Sequence, residues 1–508
     1  MVAAYIGEPD RQTLIESHAG LNAEFFSSLS GDISPDSLFN QLIEALTSGG
    51  DARLVLEAET GLNRYYSAPY PRDVIAFASS TANDISRPAF DHLLAKWAAG
   101  TPAYSEWLDD LRSRIRSAYS LSRNVEIAFA PSGTDLEYVA LAAVAGRSAG
   151  GIHNILLGAD EVGSGCIFSA HGRYFAETTA RGIATTKGDT VEGLETVSLI
   201  DIPVRDAEGT ALSSRQCVER IRQQLQQAQA ADRFPVVHVV HGSKTGLILP
   251  SSHDLAELAS EWKDRALFVV DACQARMHED VAAQYLDLGC IVFVTGSKFM
   301  GGPPFSGVAL IPRDLVEKAA PLPAGFRKIF RAAEWPSSWV GGDDLADEEN
   351  VGLALRLEAA IFELERYVAI PPADREAVIA LFRECVSQMV SANLGFEELL
   401  PHHPDEPERG ERHPTAMRTL TTLDVSNLDQ APTFAAAQAM HRQLVDHGVR
   451  LGQPVKCIRR EDEEWAGTLR IGLSMPQISM LARLSSSEAK NLLEEDLARV
   501  ARAIQRLG

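Results

Sequence analysis

Between Val125 and Ile311, short apolar runs alternate with segments of helical periodicity, and that alternation leaves few folds open. Val125–Ala130, Asn154–Leu157, Val236–Val240, Ala266–Val270 and Ile291–Val294 read as strands. Asp135–Ala145, Ser252–Asp264 and Val281–Leu288 read as the helices between them. Strands joined through helices require right-handed crossovers, which yields a mostly parallel sheet covered on both faces. Phe305–Ile311 follows Ile291–Val294 too closely for a crossover helix, so it is expected to pair antiparallel.

Composition narrows the function classes. The chain has 508 residues, 45% apolar and 23% charged, as expected of a globular protein with more than one structural unit. A formal net charge of −22 argues against nucleic-acid or anionic-membrane partners, because phosphate surfaces call for clustered cations. The N-terminal residues lack the basic start and apolar core of a signal peptide, and no apolar run nears the roughly 20 residues of a membrane span. A cytoplasmic location is the expectation. Six cysteines are scattered without a CxxC pair, which suggests neither zinc nor a disulfide framework.

Three regions are expected: an N-terminal helical and extended segment (1–95), a large α/β domain (96–345) and a smaller C-terminal α+β domain (346–508). The first includes the extended polar stretch Phe77–Asp84. The last opens with a long amphipathic helix from Asn350 to Tyr367, broken by Pro371 and Pro372 from a second. Strands Thr419–Asp424 and Thr468–Leu473 follow, and a capping box, Ser485 to Glu488, opens the final helix. Pro401–Pro414 reads as an exposed loop whose histidines, His402, His403 and His413, are expected to be solvated.

Open parallel sheets place their sites beyond the carboxyl ends of their strands, and here four strand ends are polar. Ala130-Pro-Ser-Gly-Thr-Asp joins a strand to a helix. Its glycine permits close backbone approach, and the helix start offers unpaired N–H groups to an anion, although any capped helix shares these traits. Asp271 closes an apolar strand; an acid there caps the next turn or holds a proton on a heterocyclic nitrogen. His241-Gly-Ser-Lys-Thr-Gly supplies short hydrogen-bonding side chains. Lys298 ends the fourth, 27 residues after Asp271, before a Gly-Pro stretch that cannot continue a strand. A strand-end lysine either snorkels to the surface or, desolvated, serves as a nucleophilic amine.

In this order the motifs resemble the fold-type I pyridoxal-phosphate enzymes, particularly the class V aminotransferase and cysteine desulfurase branch, over about Val125 to Gly307. The resemblance implies a large sheet domain of the seven-stranded type plus a smaller α+β domain, and pyridoxal 5′-phosphate as cofactor. Ser132, Gly133 and Thr134 match the phosphate loop, and Thr295 a further phosphate-binding hydroxyl. Asp271 matches the partner of the pyridine nitrogen. Gln274 and Ser243 match positions near the phenolic oxygen, and Lys298 matches the Schiff-base lysine. Near the carboxyl end, Arg470 in Leu469-Arg-Ile-Gly-Leu-Ser474 resembles the arginine that grips a substrate carboxylate. A homodimer with a shared active site is also implied, with Trp339-Val-Gly-Gly-Asp343 where a partner's loop reaches the phosphate.

Several positions depart from that pattern. Val162 or Gly163 stands where the family stacks an aromatic or histidine on the ring, Ser243 where asparagine is common, and Ser297 where histidine often precedes the lysine. Cys457 is not in a catalytic-loop context, which weakens sulfur transfer from cysteine. The resulting expectation is an enzyme on a small-molecule α-amino acid, working through a Schiff base and a quinonoid. Elimination, replacement or C–C bond formation on an activated amino acid such as S-adenosylmethionine is favoured, with a class V aminotransferase as the alternative. A non-catalytic scaffold has no need of Lys298 and Asp271 together, and a nucleotide-binding protein lacks its glycine spacing.

Overall fold

The computed structural model describes residues 35–159, 161–163, 165–406 and 414–507. Helices Pro35–Leu46, Arg87–Ala99 and Tyr104–Ala118 precede the sheet, with a short strand β1 (Ile75–Phe77) between the first two. The central sheet is built from β2 (Val125–Ala130), β3 (Ile152–Leu157), β4 (Val197–Ile202), β5 (Phe234–His241), β6 (Ile248–Leu249), β7 (Leu267–Asp271), β8 (Ile291–Thr295) and β9 (Gly307–Pro312). Its order is β2-β9-β8-β7-β5-β3-β4, with β6 turned back antiparallel on β5. The pairs β3–β4, β3–β5, β5–β7 and β7–β8 are parallel. β9 lies antiparallel between β2 and β8, as the short connection requires.

Burial explains the run lengths. All eight residues of β5 and all five of β8 are buried, as expected of central strands covered on both faces. β4 was not anticipated. It is the edge strand, Val-Ser-Leu-Ile-Asp-Ile, and only its first and last residues are buried. One apolar core joins one face of the sheet to the flanking N- and C-terminal helices. The other packs aromatic rings, with Trp335 and Trp339 perpendicular at 4.9 Å.

The C-terminal part holds helices Val351–Val368 and Pro372–Ala392 and an antiparallel sheet of β10 (Glu397–Leu399), β11 (Leu420–Asp424) and β13 (Thr468–Gly472). Before β13 comes β12 (Val449–Leu451), which pairs parallel with β1. Residues 35–95 are therefore not set apart. Ser79 Oγ donates to the Leu473 carbonyl (2.9 Å) and Gln477 Nε2 to that of Ala76 (2.9 Å). The capping box at Ser485 and Glu488 forms as expected, with the Ser485 hydroxyl 2.6 Å from the carboxylate.

His402 departs from expectation. It is 5% exposed, and its Nε2 accepts the Ile248 N–H at 3.1 Å. The N–H of that short strand would otherwise be buried without a partner, which explains a histidine held inside a polar loop. His403 is about a quarter exposed, and His413 lies outside the described residues.

Candidate active site

The polar ends of β2, β7 and β8 open onto one cavity of about 910 Å³. Ser132, Gly133, Thr134, Asp271, Thr295 and Lys298 line it from the sheet side, and Arg470 lines it from β13. β9 brings the first and last of these strands together, since Gly307 faces both Ala130 and Thr295. A side chain at Gly307 would sit 2.8 Å from the Ser132 carbonyl, so glycine lets the β2 loop fold over the sheet edge. Gly133 matters similarly. A Cβ there would lie 3.0 Å from the Thr295 methyl and fill the cradle between the two loops. Beyond it the helix Leu136–Val144 starts, presenting its positive end.

Lys298 is half-buried, not fully buried. Its carbonyl accepts from Asn83 Nδ2 at 2.7 Å, so the polar stretch Phe77–Asp84 braces the lysine turn. Asp271 caps the next turn and also faces the cavity. Its Oδ1 accepts the Cys273 N–H at 3.0 Å. Thr295 donates to the Cys273 carbonyl (2.8 Å), which fixes the β7 and β8 turns to each other.

Two expected residues do not line the cavity. The Ser243 hydroxyl donates to Glu161 (2.7 Å), a buried carboxylate that also accepts from Thr245 Oγ1 (3.0 Å) and Arg205 Nε (2.8 Å). Burial alone would raise the Glu161 carboxyl, but Arg205 and these hydroxyls hold it below its usual range. Gln274 is buried, with its amide on the Ser80 carbonyl (3.1 Å).

Arg470 reaches the cavity wall with its fork already engaged. Nε donates to the Gln453 carbonyl (2.6 Å), Nη1 to the Lys244 carbonyl (3.0 Å) and Nη2 to Thr81 Oγ1 (3.1 Å). Burial brings it down to about 10. Lys244 lines the same wall, lowered to about 8 by burial, then by the charge of Arg470. This end of the cavity thus carries clustered positive charge, and the guanidinium fork expected to grip a carboxylate is already engaged.

Sequence reasoning missed two cavity residues. Glu137, on the first turn of the helix after the phosphate loop, is fully buried, with Oε2 3.3 Å from His238 Nε2. Burial, then the charge of Asp271, pushes its carboxyl well above the carboxylate range. The second is Arg53. Its Nη1 lies 3.2 Å from Thr134 Oγ1 and its Nη2 3.4 Å from Ser132 Oγ. Asp51 caps the turn Ala52–Leu54 that carries it, a pattern too common to single out Arg53 in the sequence. Val162 and Gly163, where a ring-stacking residue is usual, both line the cavity beside Cys166.

The Aminotransferase class-V family matches residues 205–335, which contain β5, β7, β8 and β9 with Asp271, Thr295 and Lys298. Among solved structures, cysteine desulfurase CsdA from Escherichia coli superposes with a TM-score of 0.52 at 14% identity, over 86% of this chain and 94% of the enzyme. Pyridoxamine-pyruvate aminotransferase from Mesorhizobium loti gives 0.50 at 16% identity, over 86% and 98%. The chain shares its fold with these two enzymes, and residues 205–335 resemble the Aminotransferase class-V family. No curated protein sequence matches the chain. At the positions the sequence resemblance singles out, the cavity has a strand-end lysine and aspartate, with Val162 and Gly163 where a ring-stacking residue is expected.

Proposed function

We propose that the protein is a pyridoxal 5′-phosphate enzyme acting on an α-amino acid. The observation that carries this reading is the convergence of Lys298, Asp271, the Ser132–Thr134 loop and Thr295 on a single cavity of about 910 Å³. The residues fit the cofactor. The gap kept open by Gly133 at a helix start suits a phosphate, and a strand-end carboxylate and lysine face the same space. When bound, pyridoxal phosphate supplies an aldehyde for amines and a ring that takes up the electron pair released at an α-carbon.

The chain's own groups do the rest. Lys298 Nζ would be the amine that takes the cofactor's aldehyde and, displaced by a substrate amine, the base placed to move a proton at the α-carbon. Asp271 would hold the proton on the cofactor's ring nitrogen, while burial keeps the Glu137 carboxyl well above the carboxylate range. Lys244 and Arg470 give the substrate carboxylate a positive wall. The phosphate end takes Ser132, Gly133, Thr134 and Thr295.

The reaction proposed is elimination, replacement or C–C bond formation with the amine retained. The cavity of about 910 Å³ has room for the cofactor together with an activated amino acid, S-adenosylmethionine being one example. Cysteine chemistry is disfavoured. Burial pushes the cavity thiols Cys166 and Cys273 far above the thiol range, and Cys457 up to about 12, whereas sulfur transfer needs a thiolate. The class-V match favours transamination as the second reading.

Incubating the cofactor-loaded protein with single amino acids, with and without a keto acid, separates the two. Product retaining its amine without keto-acid dependence supports the first. Stoichiometric, keto-acid-dependent conversion supports transamination, and no turnover with any amino acid would sink both.

A further inference from the structure

The phosphate loop is met by a cation that the resemblance did not supply. Arg53 stands in the cavity between two aromatic rings, its guanidinium 4.5 Å from the centre of Phe305 and 5.2 Å from that of Phe175. Asp51 takes one edge of the fork, at 2.9 Å and 3.0 Å to Nε and 2.7 Å to Nη2. The remaining edge points to the hydroxyls of Ser132 and Thr134, both neutral acceptors.

The surroundings hold Arg53 in this pose. Phe305 adopts φ 73, a left-handed conformation rare outside glycine, and its carbonyl accepts from Arg356 Nε at 2.9 Å. Arg356, fully buried, also binds the carbonyls of Leu46 (2.8 Å), Ser48 (2.7 Å) and Gly49 (3.2 Å), which begin the loop leading to Arg53. One buried arginine therefore sets both the aromatic platform and the loop that lays Arg53 on it. A simple ion pair with Asp51 needs neither platform nor hydroxyls. A guanidinium pinned this way presents two N–H groups at the place where a phosphate's oxygens would be cradled, and a charged acceptor binds them more strongly than a hydroxyl. Asp135, the nearby acid that accepts from Ser132 Oγ (2.5 Å), is pushed up to about 7 by burial, so it does not cancel this charge fully near neutrality.

We infer that Arg53 is a phosphate ligand of the cofactor site, delivered by the N-terminal segment of the same chain that carries Lys298. This rests on the pyridoxal-phosphate reading above. It places a phosphate-binding cation within one chain, where the resemblance looked to a partner's loop. This chain's own Trp339 is buried in the aromatic core, away from the cavity.

The test compares two ligands that differ only in the phosphate. Wild type, Arg53→Met and Arg53→Lys are titrated with pyridoxal phosphate and with pyridoxal, following the Lys298-dependent absorbance, and bound phosphate is observed by ³¹P NMR. Arg53→Met should weaken pyridoxal phosphate about 10–100-fold, as loss of charge-assisted bonds implies, and shift the ³¹P resonance. Its affinity for pyridoxal should match wild type, which also shows that the variant is folded. Arg53→Lys, keeping charge but not the fork, should fall between. Unchanged pyridoxal-phosphate affinity in Arg53→Met, or equal weakening of both ligands, overturns the inference while leaving the cofactor reading intact. If wild type itself forms no Lys298-dependent adduct with either ligand, the cofactor reading fails, and the inference with it.

Discussion

The two walls of the cavity are made differently. The sheet wall comes from strand–turn units, in which each functional side chain sits within a few residues of the strand that positions it: Ser132 after β2, Asp271 at the end of β7, Lys298 after β8. The opposite wall is assembled from distant pieces. Arg470 is held by the carbonyls of Lys244 and Gln453 and by Thr81, and Arg53 reaches the Ser132–Thr134 loop from the start of the chain. The sheet wall therefore carries the chemistry on a rigid frame, while the assembled wall ties binding to stability. A residue of the first kind can be lost without unfolding the protein; a residue of the second cannot be lost without cost to both.

The largest effect that separates the walls should come from Lys298→Ala. Its side chain supports no packing that its removal would collapse, so turnover should fall by roughly 10²–10⁴-fold, as for loss of a proton-transferring group, with the melting temperature held. A comparable drop in melting temperature would blur the contrast. Glu161→Gln should behave oppositely. Glu161 and Arg205 are 5% and 11% exposed, and stripping one charge from such a pair costs about 3–5 kcal/mol, readable in urea denaturation. Unaltered stability would show that the Glu161–Arg205 pair behind Lys244 is not a stability element.

Arg470→Lys should cost less, about 1–3 kcal/mol, because a single ammonium cannot reach the acceptors now bound by a planar fork. A raised KM with no change in melting would instead return Arg470 to a purely substrate-facing role. The smallest effect is on pH dependence. Lys244, at about 8 when folded against 10.5 ordinarily, binds its proton less tightly in the fold. Stability should therefore rise gently between about pH 8 and 10.5, while affinity for an anionic substrate analogue falls over the first part of that window as the charge is lost. Lys244→Arg should flatten the affinity curve, and an inflection that survives would assign it elsewhere.

Legibility in the sequence follows the same division. The buried strands β2, β3, β5, β7 and β8 announce themselves as apolar runs, and the short gap before β9 gives its direction. Edge strand β4 hides because its exposed face needs polar residues. The pairing of β1 with β12 joins Ile75 to Val449, a contact no local pattern encodes. Lys298, Asp271 and Ser132–Thr134 could be read because position at a strand end is itself the signal. Arg53 could not, since Asp51-Ala-Arg53 resembles any capped turn until the fold sets it against the phosphate loop. His402 looked solvated for the same reason, its partner Ile248 being distant in sequence.

The central claim is that Lys298 is the residue that holds the cofactor, although four lysines, Lys187, Lys244, Lys298 and Lys456, line the cavity. Reducing the pyridoxal-phosphate-loaded protein with borohydride fixes the adduct covalently, and peptide mass spectrometry then locates it. The account predicts one pyridoxyl group per chain, on the peptide containing Lys298, and none in Lys298→Ala. An adduct on Lys187, Lys244 or Lys456, or no adduct in the folded wild-type protein, would contradict it.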